Sequence, residues 1–124
     1  MQGSKTQNLG HWGEMVAGWW LEKKGYKIIK QHYTTRFGEI DLIAKDHNQV
    51  VFIEVKLRMG INSGLPEESI DFKKQKRIKK TILAYISVNS IENFRFDVIS
   101  ILKSDKDNKL KLRHHIAVSY IFDI

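Results

Sequence analysis

The sequence predicts one α/β domain with the element order α-β-β-β-α-β-β. Two segments carry apolar residues at helical spacing, and five others are rich in the β-branched and aromatic residues that favour strands. The chain has 124 residues and is 42% hydrophobic, which suits one domain with a sizeable core. We therefore expect a single domain over residues 9–124, preceded by a flexible segment over residues 1–8.

The first half of the chain predicts one helix and a three-strand meander. The apolar residues of segment 9–24 fall near one side of a helix, and Gly25 marks its end. Strands are predicted at 26–36, 39–45 and 49–57, with turn residues at 37–38 and 46–48. Because both connections are short, neighbouring strands should pair.

The second half predicts a loop, a long helix and two strands. Residues 58–69 include two glycines and the only proline, Pro66, and should form a loop with a short helical turn after the proline. Asp71 is a good N-cap for a helix over residues 72–88. A strand at 94–102, a polar hairpin at 103–109 and a last strand at 110–120 complete the domain.

The charge of the chain favours an anionic partner. The net charge is +7, and six of the eight residues in segment 73–80 are basic. Phosphate contacts release counterions, so an anionic partner such as nucleic acid is expected. Helical spacing puts Lys73, Arg77 and Lys80 on one face and Gln75 among the apolar residues of the opposite face. The alternative is a solvated face that serves solubility alone.

Composition also limits the compartment and the chemistry. The chain has no cysteine, which excludes disulfides and thiolate metal sites. The first ten residues lack the apolar core of a signal peptide, and no segment approaches the roughly 20 apolar residues that span a bilayer. We expect a cytoplasmic protein with no membrane partner.

Three charged residues interrupt two otherwise apolar strands. Asp41 lies within the second strand, and Glu54 and Lys56 end the apolar run of the third. Side chains alternate along a strand, so Glu39, Asp41 and Ile43 should share one side. Pairing of the strands would then bring Asp41 and Glu54 together. Two adjacent carboxylates repel unless a cation lies between them, and Mg²⁺ or Mn²⁺ suits such oxygen ligands.

Lys56 adds a positive charge to this predicted metal site. It lies two residues beyond Glu54, on the same side of the strand. There it could orient or deprotonate a water, or stabilise the charge that develops on a phosphate during phosphodiester hydrolysis. The alternative is an ion pair between Lys56 and Asp41 or Glu54 that closes the rim of the sheet.

Several motifs together resemble one nuclease superfamily. The segments GEIDLIA and VFIEVKLR, with twelve residues between Asp41 and Glu54, resemble the PD-(D/E)xK nucleases, in particular the small bacterial YraN-like proteins (UPF0102). GEMVAGWWLEKKGYKII, SIDFKKQKRI and RFDVISI extend the resemblance over nearly the whole chain. It implies endonuclease activity and a restriction-endonuclease-like core, a mixed β-sheet flanked by helices, related to archaeal Holliday-junction resolvases.

The resemblance also implies roles for individual residues. Asp41 and Glu54 match the metal-binding carboxylates, and Lys56 matches the catalytic lysine. Glu14, on the first helix, matches a carboxylate that completes the metal site and so takes part in catalysis. The alternative for Glu14 is a favourable interaction with the helix dipole alone.

Three further residues match the family pattern and leave alternatives open. Gln75 matches the glutamine of a KQ element and could hold a phosphate oxygen or a water, or equally bond buried backbone. Lys74, beside it, could reach a nucleic-acid substrate. Glu39 matches the start of the second strand motif, where it could bond backbone or a neighbouring base.

Some conspicuous residues are expected to be structural. Arg95 and Asp97 alternate onto one face of a strand and should form an ion pair. Adjacent residues in a strand face opposite ways, so His114 and His115 receive no metal role.

The sequence therefore predicts a Mg²⁺- or Mn²⁺-dependent endonuclease that acts on DNA, with branched or repair intermediates as candidate substrates. The alternative is a non-catalytic nucleic-acid-binding module of a DNA-processing assembly. A homodimer is compatible with either, because proteins that cut both strands are often two-fold dimers. Trp12, Trp19 and Trp20 exceed what one apolar stripe needs, and we expect them in the core rather than on a dimer surface.

Overall fold

A computed structural model of the chain describes residues 5–59, 70–104 and 106–124, with side chains from residue 9 onward. Its elements are helix α1 (Lys5–Lys23), strands β1 (Lys27–Thr35), β2 (Gly38–Asp46) and β3 (Gln49–Met59), helix α2 (Phe72–Val88), strands β4 (Phe94–Lys103) and β5 (Leu110–His115), and a short 3₁₀ helix (Tyr120–Asp123). The predicted order α-β-β-β-α-β-β is confirmed.

The two helices agree with prediction to different extents. Helix α1 is already formed at Lys5, the first described residue, whereas the sequence predicted its start at residue 9. Helix α2 covers residues 72–88 as predicted, and Asp71 caps it, because its Oδ1 accepts a hydrogen bond from the backbone N–H of Lys74 at 2.8 Å. The expected helical turn after Pro66 and the start of the expected N-terminal segment lie outside the described residues.

The strands form one five-stranded sheet in the order β1-β2-β3-β4-β5. Neighbouring strands are antiparallel except β3 and β4, which are parallel. Parallel neighbours need a long crossover connection, and α2 lies in the segment that joins β3 to β4. The sheet is therefore mixed, as expected, and its first three strands form the predicted meander.

Each face of the sheet carries its own hydrophobic cluster, one on the α2 side and one on the α1 side. The α2-side cluster includes Phe52, Ile78 and Ile82, and the α1-side cluster includes Ala17, Leu21 and Ile53. Successive residues of β3 therefore alternate between the clusters. By the same alternation Glu54 and Lys56 follow Phe52 on the α2 side.

The last strand is shorter than predicted. It ends at His115, whereas the sequence predicted a strand to residue 120. Ala117 adopts a left-handed conformation with φ +58°, and the backbone N–H of Val118 donates to the Phe96 carbonyl at 2.8 Å. The chain therefore turns back over β4 instead of continuing along the edge.

The expected ion pair on β4 is confirmed, and a histidine completes it. Arg95 Nε lies 3.0 Å from Asp97 Oδ1, and His114 Nε2 lies 2.7 Å from Asp97 Oδ2. The side chains of all three residues are largely buried. His114 therefore has a structural partner in the buried Asp97.

The core interpretation of the tryptophans is wrong for Trp19. Trp12 and Trp20 pack against the α1-side cluster, whereas Trp19 is 61% exposed. Lys23 Nζ lies 5.3 Å from the centre of the Trp19 ring, so the exposed ring is partly covered by a lysine of the same helix.

Within the described part of the chain, no helix is long and apolar enough to cross a membrane.

Candidate active site

The candidate site lies where β2 and β3 separate. The pairing between these strands ends at Leu42 and Ile53. Just beyond that point a side chain replaces the backbone ladder, because Asp41 Oδ2 accepts a hydrogen bond from the backbone N–H of Val55 at 2.7 Å. The aspartate thus connects the two strands at the place where their main chains diverge.

The expected alternation along β2 is wrong at this point. Ile40 and Ile43 both belong to the α2-side cluster, although strict alternation would put them on opposite sides. Leu42 belongs to the α1-side cluster. The alternation therefore breaks between Ile40 and Leu42, where Asp41 reaches across to the backbone of β3.

Asp41 and Glu54 nevertheless meet, as predicted. Glu54 is only 2% exposed. Burial raises the pKa of Asp41 well above its usual range, and the adjacent Glu54 carboxylate raises it further. The charge of Glu14 also raises the pKa of Asp41, whereas the hydrogen bond from the Val55 N–H lowers it. The surroundings of Asp41 therefore favour its protonated form.

Two lysines face the Glu54 carboxylate. Lys74 Nζ lies 2.5 Å from Glu54 Oε2, and Lys56 Nζ lies 3.5 Å from the same atom. Burial lowers the pKa of Lys56, and the positive charge of Lys74 lowers it further. The negative charge of Glu54 acts in the opposite direction. Burial acts on Lys74 too, but the contact with Glu54 outweighs it and raises the pKa of Lys74. Lys74 therefore keeps its proton, while Lys56 releases its proton more readily.

Helix α1 adds Glu14 to the site, together with a histidine that no sequence motif indicated. The ligand atoms of Glu14, His32 and Asp41 all lie within 4.8 Å of one another. His32 Nδ1 is 3.3 Å from Glu14 Oε1, and His32 Nε2 is 3.2 Å from Glu39 Oε2. Glu39 thus bonds a neighbouring base, which is one of its two expected alternatives.

The register of the first hairpin was the signal that could have identified His32. Strands β1 and β2 are joined by only two residues, 36 and 37, so the turn fixes their pairing. Gln31 is opposite Leu42 in that pairing. The next residue along β1, His32, therefore lies beside Asp41.

The donor set around Asp41 fits a divalent cation. Asp41 contacts Glu54 on one side and lies close to Glu14 and His32 on the other. Carboxylate oxygens are the ligands that Mg²⁺ and Mn²⁺ prefer, and a cation would relieve the repulsion that raises the pKa of Asp41. Of the predicted ligands, Asp41 and Glu14 therefore share one cluster with His32 as an additional donor, and Glu54 adjoins Asp41 from β3.

The basic face of α2 is solvent-exposed, as predicted. Lys73, Arg77 and Lys80 are all exposed, whereas Gln75 is partly buried. The Gln75 side-chain Nε2 donates a hydrogen bond to the Ile70 carbonyl at 2.8 Å. Its amide therefore bonds backbone at the start of the helix, which is one of the two alternatives for this residue.

A cavity of about 410 Å³ lies between the β1–β2 hairpin and α2 and extends the site toward the basic face. Gly38 allows the close approach that shapes it, because a Cβ atom at this position would lie 2.9 Å from Cβ of Arg77. The cavity is lined by Thr34, Thr35, Gly38, Glu39, Lys74, Arg77 and Ile78. Lys74 belongs to this cavity and also contacts Glu54, so it connects the basic face to the buried carboxylates.

Fold and site together define an α/β protein with a carboxylate and lysine site at a strand separation in a mixed sheet. The chain belongs to the family described as "Uncharacterised protein family UPF0102", whose model matches residues 13–101. The match spans every residue of this site.

Relatives in this family are similar over most of their length. A UPF0102 protein of Caldanaerobacter subterraneus is 40% identical over 122 residues, which cover 97% of this chain and 100% of the relative. One of Thermodesulfovibrio yellowstonii is 47% identical over 107 residues, covering 86% and 90% respectively. One of Syntrophomonas wolfei is 39% identical over 113 residues, covering 90% and 96%.

Proposed function

We propose that this protein is a Mg²⁺- or Mn²⁺-dependent endonuclease that hydrolyses phosphodiester bonds in DNA, with branched or repair intermediates as candidate substrates. The observation that carries the proposal is the meeting of two carboxyls, Asp41 and Glu54, with two lysines at the same carboxylate. The resemblance of GEIDLIA and VFIEVKLR to PD-(D/E)xK nucleases supports it, and so does the net charge of +7.

The carboxylates of Asp41, Glu54 and Glu14 would hold the metal ion. A divalent ion so placed supplies charge stabilisation to a phosphate and lowers the pKa of a water molecule. The hydrogen bond from the Val55 N–H fixes the Asp41 carboxyl against β3. This ligand would therefore be held in place by the backbone of a strand rather than by a loop.

The two lysines are suited to different tasks. Lys56, whose pKa is lowered by burial, can orient a water and accept its proton. Lys74, whose pKa is raised by its contact with Glu54, stays positively charged and can bind a phosphate oxygen. Both Nζ atoms lie within 3.5 Å of the same Glu54 oxygen, so both tasks would be performed at one place.

A second candidate function is a nucleic-acid-binding module that does not cut. The observation that favours it is that Glu54 already has two lysine partners without a metal ion. In that case the ion pairs would serve the fold, and the exposed face formed by Lys73, Arg77 and Lys80 would bind phosphates. Binding and cutting therefore have to be measured on the same DNA.

The test is a panel of labelled branched, flapped, single-stranded and duplex DNAs incubated with Mn²⁺ or Mg²⁺. The wild-type protein should cut at least one substrate, and Asp41→Asn should bind that substrate but fail to cut it. The matched control is Asp46→Asn, because Asp46 lies at the other end of β2 and pairs with Arg95 at 3.2 Å. A protein that binds branched DNA but cuts nothing in the panel with either ion would support the binding module instead.

A further inference from the structure

We propose that His32 is a nitrogen ligand of the metal ion and that it makes the site selective for Mn²⁺ over Mg²⁺. The proposal rests on the metal site of the proposed function and adds to it the identity of a fourth ligand and of the ion. Neither the family motifs nor the sequence pattern assigns a role to this residue.

The placement of His32 is that of a ligand. One ring nitrogen, Nδ1, is 3.3 Å from Glu14 Oε1, and the ligand atoms of Glu14, His32 and Asp41 lie within 4.8 Å of one another. Groups held at such separations can bind one ion with modest movement of the side chains. His32 also comes from β1, so the site draws donors from α1, β1, β2 and β3.

The second ring nitrogen of His32 is held by another carboxylate. Nε2 lies 3.2 Å from Glu39 Oε2. A histidine that binds a metal usually donates its other N–H to a carboxylate or a carbonyl, which fixes the tautomer and the orientation of the ring. With Nε2–H donating to Glu39, an ion placed between Nδ1 and Glu14 Oε1 would bind the Nδ1 lone pair and replace the present contact between these two atoms.

A buried carboxylate, that of Glu54, adjoins Asp41 from β3. Glu54 is 2% exposed, and its Oε2 accepts no well-formed hydrogen bond from the described residues, although two lysines lie within ion-pair distance. The two lysines pair with this oxygen as ions, and a metal ion at Asp41 would in addition offset the repulsion between the Asp41 and Glu54 carboxyls.

A nitrogen ligand changes which ion the site prefers. Mg²⁺ favours oxygen donors, whereas imidazole binds first-row transition metals well, and Mn²⁺ accepts both kinds of donor. A site of three carboxylates and one imidazole should therefore bind Mn²⁺ more tightly relative to Mg²⁺ than a site of carboxylates alone.

The test compares metal binding by His32→Asn and by a matched control, His47→Asn. Both histidines have left-handed backbone, with φ +50° at His32 and +55° at His47, and asparagine tolerates that conformation. His47 Nδ1 also contacts a carboxylate, Asp46 Oδ1 at 3.0 Å, but it lies outside the cluster around Asp41. The pair therefore controls for backbone strain and for the loss of an imidazole.

Calorimetry should show that His32→Asn lowers Mn²⁺ affinity by at least about 10-fold, the lower end of the loss seen when only an outer-shell partner is removed, and Mg²⁺ affinity by less, so that the ratio falls. His47→Asn should leave both affinities and their ratio unchanged. Pulsed electron paramagnetic resonance of the Mn²⁺ complex should show coupling to ¹⁴N that changes to ¹⁵N when the protein is labelled with [¹⁵N]histidine. The coupling should be absent in His32→Asn and present in His47→Asn.

The outcomes separate this inference from the proposed function. Mn²⁺ binding without histidine coupling, together with an unchanged affinity ratio in His32→Asn, would overturn the role of His32 and leave the carboxylate metal site intact. Failure of the wild-type protein to bind either ion would overturn both.

Discussion

Two aspartates of the same sheet, the buried Asp97 and the partly buried Asp41, have opposite surroundings. Asp97 is fully buried, and its carboxylate is bonded by Arg95 Nε at 3.0 Å, by His114 Nε2 at 2.7 Å and by the Ala117 N–H at 2.9 Å. These donors come from its own strand, from β5 and from the turn after β5. The charge of Asp97 is therefore fully satisfied within the protein.

Asp41 accepts a hydrogen bond from one backbone N–H, and its other close neighbours include two carboxylates. Burial would raise the pKa of either aspartate, but for Asp97 the bonds from His114 and Arg95 outweigh burial and lower its pKa. For Asp41 the carboxylate of Glu54 adds to the effect of burial on the pKa. Burial alone therefore does not distinguish a structural charge from a site, whereas the supply of donors does.

The largest expected effect is the loss of stability on removal of the Asp97 carboxylate. Asp97→Ala leaves Arg95 and His114 buried without their shared acceptor, which should lower the free energy of unfolding by about 3–5 kcal/mol. Urea denaturation at neutral pH measures the change. The control is Asp46→Ala, because Asp46 also pairs with Arg95 but is more exposed, and the decrease there should be below about 1 kcal/mol. Equal decreases in the two variants would contradict the structural role of Asp97.

The next effect concerns Lys56, which adjoins Glu54 without being an oxygen ligand. Lys56→Met should keep metal and DNA binding within roughly tenfold, while single-turnover cleavage falls by at least about 100-fold, as is typical for removal of a positioned acid, base or charge stabiliser. If Lys56 only closes the rim of the sheet, the variant should instead melt at a lower temperature, and its activity should follow the folded fraction. Measuring both quantities on one sample decides between these roles.

The sequence predicted the meeting of Asp41 and Glu54 for a reason that was only partly right. Antiparallel pairing through a short turn does bring the two residues together, and that much follows from strand periodicity. The alternation itself fails between Ile40 and Leu42, because β2 leaves β3 there. Such a break depends on how both helices pack against the sheet, which no local pattern records.

Other features of the site depend on contacts between distant segments. The bounds of α2 and its Asp71 cap were predictable because capping is local. The 2.5 Å contact between Lys74 and Glu54 was not, since it depends on how α2 lies across β3. The position of His32 beside Asp41 could have been predicted from the register of the β1–β2 hairpin. Its contact with Glu14 could not, because it depends on how α1 packs against the sheet.

A third expected effect tests the Asp41 side of the comparison through pH. A carboxyl whose pKa is raised in the folded state binds its proton more tightly folded than unfolded. Its stabilising effect is therefore full below the unfolded pKa of about 4 and disappears as pH rises toward the folded pKa. Without added metal, raising the pH from 5 to 6 should cost the wild-type protein about 1 kcal/mol more than Asp41→Asn.

Chemical denaturation of both proteins at the two pH values measures this difference. Asparagine keeps an oxygen for the Val55 N–H, so the backbone hydrogen bond is preserved. Asp97→Asn is the control and should not change the dependence of stability on pH between 5 and 6, because the stability contributed by a lowered pKa disappears only below the unfolded pKa of about 4. Parallel pH profiles for wild type and Asp41→Asn would show that Asp41 ionises normally in the folded protein.

The smallest expected effect per residue is on DNA binding, from removal of the exposed charges on α2. Replacing Lys73, Arg77 and Lys80 with Gln should weaken DNA binding and flatten its salt dependence. The log–log slope on duplex DNA should change by about 0.9 for each phosphate that the variant no longer neutralises. The three residues are exposed on one face of α2, beside the cavity that contains Lys74 and Arg77. Because their side chains lie on the exposed face, away from the buried Glu54, metal affinity should stay unchanged, in contrast to Asp41→Asn.

The control for this prediction is a triple variant at Lys23, Lys24 and Lys27, which removes the same charge elsewhere on the surface. It should leave the salt dependence of DNA binding closer to that of the wild-type protein, because a long-range field is screened by salt whereas direct phosphate pairing releases counterions. If both triple variants change the slope equally, the face of α2 contributes only net charge, and the path of DNA to the buried carboxylates has to be sought on another surface.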